Sequence, residues 1–489
     1  MRRDAVLFLS GVNLILIQFA MTRCLSSVFL GTEVVLFLIV FSYFMGFSAG
    51  YFLCDRMGPR GLLAFGLAQW LTHLTLPFSP RWLAGTLASW DMRVSALAAC
   101  ILLGGFWVSA FYSLLLPRLL LEQPDAGPRG FARRYGAEVA GALTGALLIP
   151  LACRLPPPVL MVIYQAVLAC LLALLWRSRP ILLGGLALCG LYAALFPRLE
   201  AASVAYAHRT AHGGGPARVL LSRDTPYQRM EILEEDGRRQ LYLDGILHYG
   251  TDSLSRYNYF IGGLPTALLR PQRTLIVGSG SFGSAAWAAE SSAQVTVVEL
   301  DAAVARAGRS LLAEPGAAEP RLVIDDAKHY MANATEPADV VALDVAGPFQ
   351  RQVALLYSRE FFGLVRSRLS PGGVLSLCLN GDLADRGYTA ARIALTLLAE
   401  FSDVFVIVLP GGEPSFALAG DGVRFDRAAV ARALRAAGHR DALVLGRAEV
   451  ERRLRGVPFE PISLRHMDIP LVRGLFVLQS RFLRRGGGP

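Results

Sequence analysis

The chain has 489 residues, enough for two or three domains, and its 54% hydrophobic and 18% charged residues exclude a disordered or low-complexity protein. The formal net charge is +10, and residues 1–199 hold 15 arginines and 7 acids, so most of the excess lies in the more apolar half. A nucleic-acid-binding protein would carry that excess on its soluble part, so no nucleic-acid partner is expected. Seven cysteines without a CxxC pair predict neither a zinc site nor a disulfide framework, and no metal site is expected.

The first half of the chain contains apolar runs that approach the roughly 20 residues of a membrane-spanning helix. Seven such runs in succession are hard to reconcile with buried soluble helices. The sequence therefore predicts a multi-pass α-helical membrane domain over 1–199, with six or seven helices. The runs lie near 5–22, 34–54, 61–79, 94–116, 136–153, 159–176 and 180–197.

Successive connecting loops lie on opposite sides of the predicted membrane. The loops on the side of the N-terminus hold ten arginines, and those on the opposite side hold four. The positive-inside rule therefore places the N-terminus in the cytoplasm. Seven crossings would put the second half outside, whereas six would keep it inside. The run 180–197 is the weakest, because it starts at Pro180 and contains Gly184 and Gly185. We expect it to be interfacial or re-entrant.

Small residues four positions apart predict close helix–helix contacts within this domain. They are Gly46 with Gly50, and Gly141 with Gly145.

The second half alternates short β-type runs with helical stretches. A linker is predicted at 200–217 and a small β-strand region at 218–272. From 273 to 489, strand–helix alternation predicts a doubly wound, class I methyltransferase-like (Rossmann-type) α/β domain. Two late strands, 403–409 and 415–420, are close enough to form a hairpin, which is unusual for dinucleotide-binding sheets.

The main chemical signal is a glycine loop between a strand and a helix, Gly278-x-Gly280-x-x-Gly283. The glycines let the backbone approach a ligand closely. Glu299 ends the next strand, 21 residues after Gly278, where a carboxylate can accept hydrogen bonds from two ribose hydroxyls. This motif alone does not distinguish a nicotinamide dinucleotide from another nucleoside, or either from a tight turn without a ligand.

Two later features favour an adenosyl-sulfonium ligand. Asp326 and Ala327 follow the third strand, where S-adenosylmethionine-type enzymes contact the adenine amino group. Asp344 ends the fourth strand, at the sheet edge where open α/β folds bind their ligands. Together with the terminal hairpin, these residues point away from a dinucleotide enzyme, although a helix cap remains an alternative for Asp344.

With these motifs in view, residues 227–380 resemble the spermidine synthase (polyamine aminopropyltransferase) family. The first half is similar to the membrane domain found fused to such synthases, in FLSGVNLILIQFAMTRCLSSVF and YGAEVAGALTGALLIPL. The segments of the second half that carry the resemblance are TPYQRMEI, LYLDG, IVGSGSFGS, VVELD, LYSREFFGLVRSRLSPGGVLSL and HMDIP.

The resemblance implies a role for each matching residue. Asp344 would orient or deprotonate an attacking amine, and Tyr257 would be its aromatic partner. His248 replaces a family glutamine, either as a polar contact or as a base. No cofactor is bound permanently, and decarboxylated S-adenosylmethionine or S-adenosylmethionine is the implied co-substrate. The residues expected around the nucleoside are Gln228, Gly278, Gly280, Gly283, Glu299, Asp326 and Ala327.

The acceptor side departs from the family pattern, because family acids are replaced by Ser253, Leu254, Tyr259 and Gly347. A dicationic diamine needs several carboxylates to replace its hydration, so putrescine is expected to be a poor substrate. The implied partners are a small amine and the lipid bilayer. An S-adenosylmethionine-dependent methyltransferase and a non-catalytic nucleoside sensor remain alternatives, and the sequence leaves a homodimer open.

Because sulfonium nucleosides are held in the cytosol, we expect an inner-membrane protein whose soluble domain faces the cytoplasm. Six crossings satisfy this expectation and the arginine distribution together.

Overall fold

The computed structural model describes residues 2–29, 33–89, 94–122, 127–153, 155–211, 213–251, 255–313, 319–348, 350–384 and 387–469. These residues form two compact units. Among the described residues, the first unit runs to Asp236 and includes Leu243–Gly245, and the second comprises Gly237–Tyr242 and residues 246–469.

The first unit is built mainly from eight helices that share one apolar core. By length and composition, six of the described helices could cross a membrane: Arg2–Val28, Glu33–Leu53, Gly104–Leu121, Gly127–Ala152, Pro157–Trp176 and Arg179–Thr210. The helices are α1 (Arg2–Phe29), α2 (Glu33–Leu53), α3 (Pro59–Thr75), α4 (Ser79–Ser89), α5 (Val94–Leu121), α6 (Gly127–Ala152), α7 (Pro157–Trp176) and α8 (Arg179–Ala211).

The run expected to be the weakest, 180–197, forms a long helix, and a different run is divided between shorter helices. The run 180–197 lies within α8, a continuous helix of 33 residues, whereas the run 61–79 is divided between α3, of 17 residues, and α4. Gly185 does not interrupt α8, because its missing side chain lets Trp70 and Ala169 pack against the helix backbone. The helix that contains 180–197 is thus long and apolar enough to cross a membrane, and an interfacial or re-entrant placement of this run stays a prediction.

The small residues predicted to mediate helix contacts do so. A Cβ atom on Gly141 would collide with the backbone of Phe8 in α1, and one on Gly46 would collide with Phe106 in α5. Gly50 and Gly145 are similarly crowded. The glycines thus allow the close approach of α6 to α1 and of α2 to α5.

The predicted linker is shorter than expected, because α8 continues through its alanine-rich end to Ala211. Alanine is the strongest helix former, and the following Gly213–Gly215 triplet cannot continue the helix as favourably. The first unit then ends in a β-hairpin of β1 (Arg218–Asp224) and β2 (Arg229–Glu235), which pair antiparallel. Two further short strands follow, β3 (Arg238–Leu243) and β4 (Ile246–Gly250).

The second unit contains an eight-stranded sheet in the order β12-β10-β11-β9-β8-β5-β6-β7. Strands β9, β8, β5, β6 and β7 are parallel, and β11, β10 and β12 complete one edge with antiparallel pairs. This is the order of a class I methyltransferase-like sheet, and it includes the predicted terminal hairpin. The strands are β5 (Arg273–Gly278), β6 (Gln294–Glu299), β7 (Arg321–Ile324), β8 (Ala338–Asp344), β9 (Leu369–Cys378), β10 (Asp403–Val408), β11 (Phe416–Gly420) and β12 (Leu443–Gly446).

Helices cover both faces of this sheet, because its strands are apolar on both sides. In β5, Leu275 and Val277 contribute to one buried core, while Ile276 between them contributes to the other. The helices are α9 (Ser255–Asn258), α10 (Leu264–Leu269), α11 (Gly283–Ala289), α12 (Ala302–Ala307), α13 (Ala327–Asn333), α14 (Arg351–Ala354), α15 (Arg359–Arg366), α16 (Tyr388–Glu400), α17 (Arg427–Ala436) and α18 (Arg447–Leu454). Short π-helical turns occupy Tyr259–Gly263 and Gly308–Leu312, and a 3-10 turn occupies Leu355–Tyr357.

Candidate active site

Three neighbouring strands bring the predicted site residues to one edge of the sheet. Strands β8, β5 and β6 are adjacent and parallel, and they end at Asp344, Gly278 and Glu299. Gly278 is paired in register with Asp344. The glycine loop, the expected ribose contact and the expected base therefore lie side by side.

The glycine loop turns sharply after β5. Gly278 has a φ of +86°, and a side chain there would collide with the carbonyl oxygen of Asp344. Ser279 and Phe282 also adopt positive φ, of 62° and 64°, which are unfavourable for residues other than glycine. The loop is held by Ser279, whose N–H donates to the Asp344 carbonyl over 3.0 Å.

Glu299 faces this loop, and only a glycine leaves room for it. A Cβ atom on Gly280 would lie 2.9 Å from Glu299 Oε2. The other carboxylate oxygen, Oε1, accepts the N–H of Asp301 over 2.8 Å, which fixes the side chain. Burial raises the pKa of Glu299 to about 7. The carboxyl group is thus placed to accept hydrogen bonds from a ligand lying on the loop.

Asp344 lies at the centre of a hydroxyl cluster. Ser284 donates to Asp344 Oδ2, and its hydroxyl also lies 2.7 Å from that of Ser279. The hydroxyls of Ser279 and Tyr257 also donate hydrogen bonds to this carboxylate, which makes three in all. Burial raises the pKa of Asp344, although the hydroxyl groups oppose this by stabilising the charged form. A carboxylate with a raised pKa is better suited to accept a proton.

Aromatic side chains and an asparagine amide line the site beside this carboxylate. Tyr257 packs edge-to-face on Phe416, with ring centroids 5.5 Å apart. The Tyr357 hydroxyl donates to the carbonyl oxygen of Ala346 over 3.2 Å and accepts the Asn380 amide over 2.9 Å. The pKa of Tyr257 is raised well above its usual value, first by burial and then by the Asp344 charge, so its hydroxyl keeps its proton.

Asp326 and Ala327 follow β7, but Asp326 already has a structural role. Its Oδ1 accepts the N–H groups of Lys328 and His329 over 2.9 and 3.0 Å, which caps α13. Ala327 is buried beneath this cap. The structure thus shows a helix-capping role for Asp326, whereas the sequence suggests one only for Asp344.

His248 lies on β4, and burial lowers its pKa to about 4. Desolvation disfavours the charged ring, so the imidazole is neutral near pH 7. Both roles expected for His248, a polar contact and a base, remain predictions.

Gln228 belongs to the first unit, in a tight turn before β2. The Thr225 hydroxyl accepts the N–H groups of Tyr227 and Gln228, and the Thr225 N–H donates to the Gln228 carbonyl over 2.8 Å. This turn holds the Gln228 backbone firmly. Its predicted contact with a nucleoside remains a prediction.

Both ends of this turn are tied to helices of the first unit by charged side chains, here called the arginine network. Asp224 pairs with Arg23 of α1 and with Arg229, each over 2.9 Å. Glu231 pairs with Arg229 over 3.1 Å and with Arg81 of α4 over 3.5 Å. The side chains of Arg229 and Arg81 are only 4% and 8% exposed. The network comprises Arg23, Arg81, Glu200, Asp224, Arg229 and Glu231.

Sequence reasoning missed several residues that complete the site in the second unit. Ser279 lies within the glycine loop and Ser284 directly follows it. Serines at these positions, next to a predicted strand-end carboxylate, are the sequence signal that could have identified them. Of the substituted family acids, Tyr259 and Gly347 are buried, whereas Ser253 and Leu254 lie outside the described residues. No cluster of three metal-ligating side chains occurs among the residues that the structure describes.

Comparison with known proteins agrees with this geometry. The Spermine/spermidine synthase domain family matches residues 254–384, which include Tyr257, the glycine loop, Glu299 and Asp344. A polyamine aminopropyltransferase of a Synechococcus strain is 31% identical over 225 residues, covering 41% of this chain and 70% of that protein. The chain belongs to the polyamine aminopropyltransferase family. The match supports a transferase of the aminopropyltransferase type.

Other aminopropyltransferases align over different lengths. The Streptomyces coelicolor polyamine aminopropyltransferase 1 is 26% identical over 451 residues, covering 86% of this chain and 83% of that protein. The Oceanobacillus iheyensis relative is 30% identical over 168 residues, which cover 32% of this chain but only 33% of that protein. The chain likewise spans 60% of the Nitrosomonas europaea relative.

Two solved structures of aminopropyltransferases also align. A probable spermidine synthase from Corynebacterium glutamicum is 21% identical, with a TM-score of 0.41, and the alignment covers 50% of this chain and 95% of that one. A spermidine synthase in complex with the transition state analogue AdoDATO is 24% identical, with a TM-score of 0.37, over 41% of this chain and 73% of that one.

Proposed function

We propose that the protein is a membrane-bound aminopropyltransferase that moves a 3-aminopropyl group from decarboxylated S-adenosylmethionine to an amine. The observation that carries this proposal is the buried Asp344 carboxylate, held by the hydroxyls of Tyr257 and Ser284 beside the glycine loop. Family membership supports the same type of transfer.

The donor would lie along the glycine loop. Glu299 would accept its two ribose hydroxyls, and the glycines would let the nucleoside approach the backbone. Asp326, through the oxygen that does not cap α13, and Gln228 are the further donor contacts that we propose. His248 would contribute a neutral polar contact.

In the proposed reaction the acceptor nitrogen attacks the aminopropyl carbon bonded to sulfur. A carbon–nitrogen bond forms, the carbon–sulfur bond breaks, and its electron pair neutralises the sulfonium, so methylthioadenosine leaves uncharged. The nitrogen must lose one proton, and Asp344 is the carboxylate placed to receive it. The hydroxyls around Asp344 would orient it toward the incoming amine.

The acceptor is proposed to be an amine other than putrescine. Among the described residues, Tyr259 and Gly347 stand where the family pattern has acids, so a second ammonium group would lack its carboxylate partners. A monoamine, or an amine with its second positive charge far from the reacting end, fits this site better.

The first unit is proposed to cross the inner membrane six times, with the second unit on the cytoplasmic side. Six long apolar helices give an even number of crossings and so support this arrangement. The cytosolic supply of sulfonium nucleosides agrees with it.

The test is release of methylthioadenosine by the purified full chain in detergent micelles, given decarboxylated S-adenosylmethionine and single amines. We expect at least one amine to stimulate release in the wild-type protein and not in Asp344→Asn. No release with any amine, while calorimetry shows that donor binding is intact, would favour a nucleoside sensor and contradict the proposal.

A further inference from the structure

The loop that follows the proposed base makes few polar contacts. Residues 345–348, here called the β8 loop, continue from Asp344 at the carboxyl end of β8. Their side chains carry no hydrogen-bonding group, and Gly347 allows the backbone many conformations. Within the described part of the chain, one hydrogen bond to this loop is found, from the Tyr357 hydroxyl to the Ala346 carbonyl oxygen over 3.2 Å. The hydrogen bonding of the β8 loop therefore depends on Tyr357.

The direction of each hydrogen bond around Tyr357 follows from its partners. A carbonyl oxygen can only accept, so Tyr357 donates its single proton to Ala346. The Tyr357 oxygen then accepts the Asn380 amide over 2.9 Å. The same amide nitrogen donates to the Cys378 carbonyl oxygen over 3.1 Å, which fixes the orientation of the Asn380 side chain. Tyr357 is fully buried, and burial raises the pKa of its hydroxyl, so the proton needed for the loop bond is kept.

Asn380 is itself held firmly, just past the end of β9. Its φ is +52°, in the left-handed region that asparagine adopts more readily than most residues. The residues on either side are bonded to Ser415, because the Leu379 N–H donates to the Ser415 carbonyl over 2.8 Å and the Gly381 carbonyl accepts the Ser415 N–H over 3.0 Å. Tyr357 and Asn380, here called the tyrosine brace, thus connect the β8 loop to a fixed point beyond β9.

The strand order places the tyrosine brace and the glycine loop on opposite sides of Asp344. Strand β8 lies between β9, which leads to Asn380, and β5, which leads to the glycine loop. With the donor proposed to lie on the β5 and β6 side, the β9 side is left for the acceptor. The Asp344 carboxylate has its own hydroxyl partners, so the β8 loop can shift without displacing the base.

We propose that Tyr357, oriented by Asn380, is a positioning residue that holds the β8 loop in the conformation that admits the acceptor amine. This assignment rests on the proposed function, which supplies the acceptor. A phenylalanine would fill nearly the same space in the core, so packing alone does not require the hydroxyl. A buried hydroxyl is unfavourable unless it is hydrogen-bonded, and both bonds of this one lead to the edge of the sheet that carries Asp344.

The test is steady-state kinetics of purified full-length Tyr357→Phe in detergent micelles, with decarboxylated S-adenosylmethionine and the amine that the wild-type protein uses best. We expect the acceptor KM to rise about three- to tenfold, because the loop loses one hydrogen bond. The value of kcat should fall by a smaller factor, because Asp344 keeps its hydroxyl partners. Methylthioadenosine should bind with unchanged affinity in calorimetry, which also shows that the variant is folded. A merely structural role would lower stability without separating acceptor KM from donor affinity.

Two further variants serve as the control and the partner test. Tyr388→Phe removes a hydroxyl that donates to Asp468 over 2.7 Å, outside the tyrosine brace, so its acceptor KM should match that of the wild-type protein. Asn380→Gly removes the amide but still permits the left-handed backbone, and it should also raise the acceptor KM. Combined with Tyr357→Phe it should add nothing further, because both changes act through one bond to the loop.

Failure of the tyrosine brace and failure of the proposed function give different results. A wild-type protein that transfers nothing to any amine would overturn the proposed function and the role of Tyr357 with it. Wild-type transfer with an unaltered acceptor KM in Tyr357→Phe would overturn the role of Tyr357 alone. An equal rise in Tyr388→Phe, or fully additive effects of Tyr357→Phe and Asn380→Gly, would do the same.

Discussion

At the scale of single residues, the site depends on two carboxyl groups with different environments. Glu299 faces the glycine loop with one oxygen fixed by a backbone N–H, whereas Asp344 is surrounded by side-chain hydroxyls. Both have a raised pKa, in each case first because of burial. The first is suited to hold a nucleoside and the second to receive a proton.

Replacing Asp344 with asparagine should remove the proton acceptor without changing the shape of the site. We expect kcat to fall by about 10²- to 10⁴-fold, with donor binding nearly unchanged, because general-base catalysis contributes on that order. Steady-state kinetics with the best acceptor would measure this. The exposed acid Glu336, replaced by glutamine, serves as the control, and an equal loss in both variants would remove Asp344 from its proposed role.

Glu299 should make donor binding depend on pH. Its pKa of about 7 in the free protein means that part of the population is protonated at neutral pH. Only the ionised carboxylate accepts both ribose hydroxyls, so methylthioadenosine should bind more tightly as pH rises through about 7 and more weakly as it falls. Calorimetry at several pH values would measure this.

The matched variant Glu299→Gln should lose that pH dependence. It should also bind more weakly by about 1–3 kcal/mol, because two hydroxyls lose a charged acceptor. A glutamine variant with the same affinity and pH profile as the wild-type protein would argue against the ribose contact.

The sequence predicted which residues form the site better than it predicted their protonation and hydrogen bonding. Strand-end spacing brought Gly278, Glu299 and Asp344 together correctly, since carboxyl ends of adjacent parallel strands must meet. The neutral state of His248 and the capping bonds of Asp326 could not be predicted, because they depend on burial and on hydrogen-bond partners that only the folded chain supplies.

At the scale of elements, the arginine network joins helices α1, α4 and α8 to the β1–β2 hairpin. It contacts the residues on both sides of the Thr225–Gln228 turn, since Asp224 precedes the turn and Arg229 follows it. The helices therefore hold the Thr225–Gln228 turn in place within the first unit.

Arg81→Met should weaken this hold. Removing one member of a buried ion pair leaves the other charge uncompensated and typically costs about 3–5 kcal/mol of stability. Thermal melting of the purified protein would measure this loss.

The control for Arg81→Met lies on the same hairpin. Arg218 pairs with Glu234, but its side chain is 72% exposed, so Arg218→Met should change stability by no more than about 1 kcal/mol. An equal change of stability in both variants would show that the arginine network does not hold the hairpin.

Sequence patterns predicted most elements of the second unit, but not all of them. The short strands β4 and β12 were missed, because five and four residues give too little alternation to detect. The helix α8 was cut short in prediction because glycine and proline usually end helices. In the structure Gly185 instead serves close packing, which local sequence does not reveal.

At the scale of the whole molecule, the proposal combines a helical unit of membrane-spanning character with a transferase of the aminopropyltransferase type. The count of six long apolar helices agrees with an even number of crossings, although the short helix is α3 and not the run at 180–197. Even numbers of crossings leave both ends of the unit on one side.

Reporter fusions at Pro489 test this topology. With a cytoplasmic second unit, a fluorescent-protein fusion should be bright and an alkaline-phosphatase fusion inactive, because phosphatase folds only in the oxidising periplasm. A control fusion in the loop after α1 should give the opposite pattern. An active phosphatase with a dark fluorescent fusion at Pro489 would overturn the cytoplasmic assignment.

The most direct test of the central proposal is mass spectrometry of the products that the purified full-length protein forms. Decarboxylated and intact S-adenosylmethionine would be offered separately with a panel of amines that includes putrescine. We predict an acceptor heavier by one aminopropyl group with the decarboxylated donor only, and little or no spermidine from putrescine. An acceptor heavier by one methyl group with intact S-adenosylmethionine would contradict aminopropyl transfer and identify a methyltransferase.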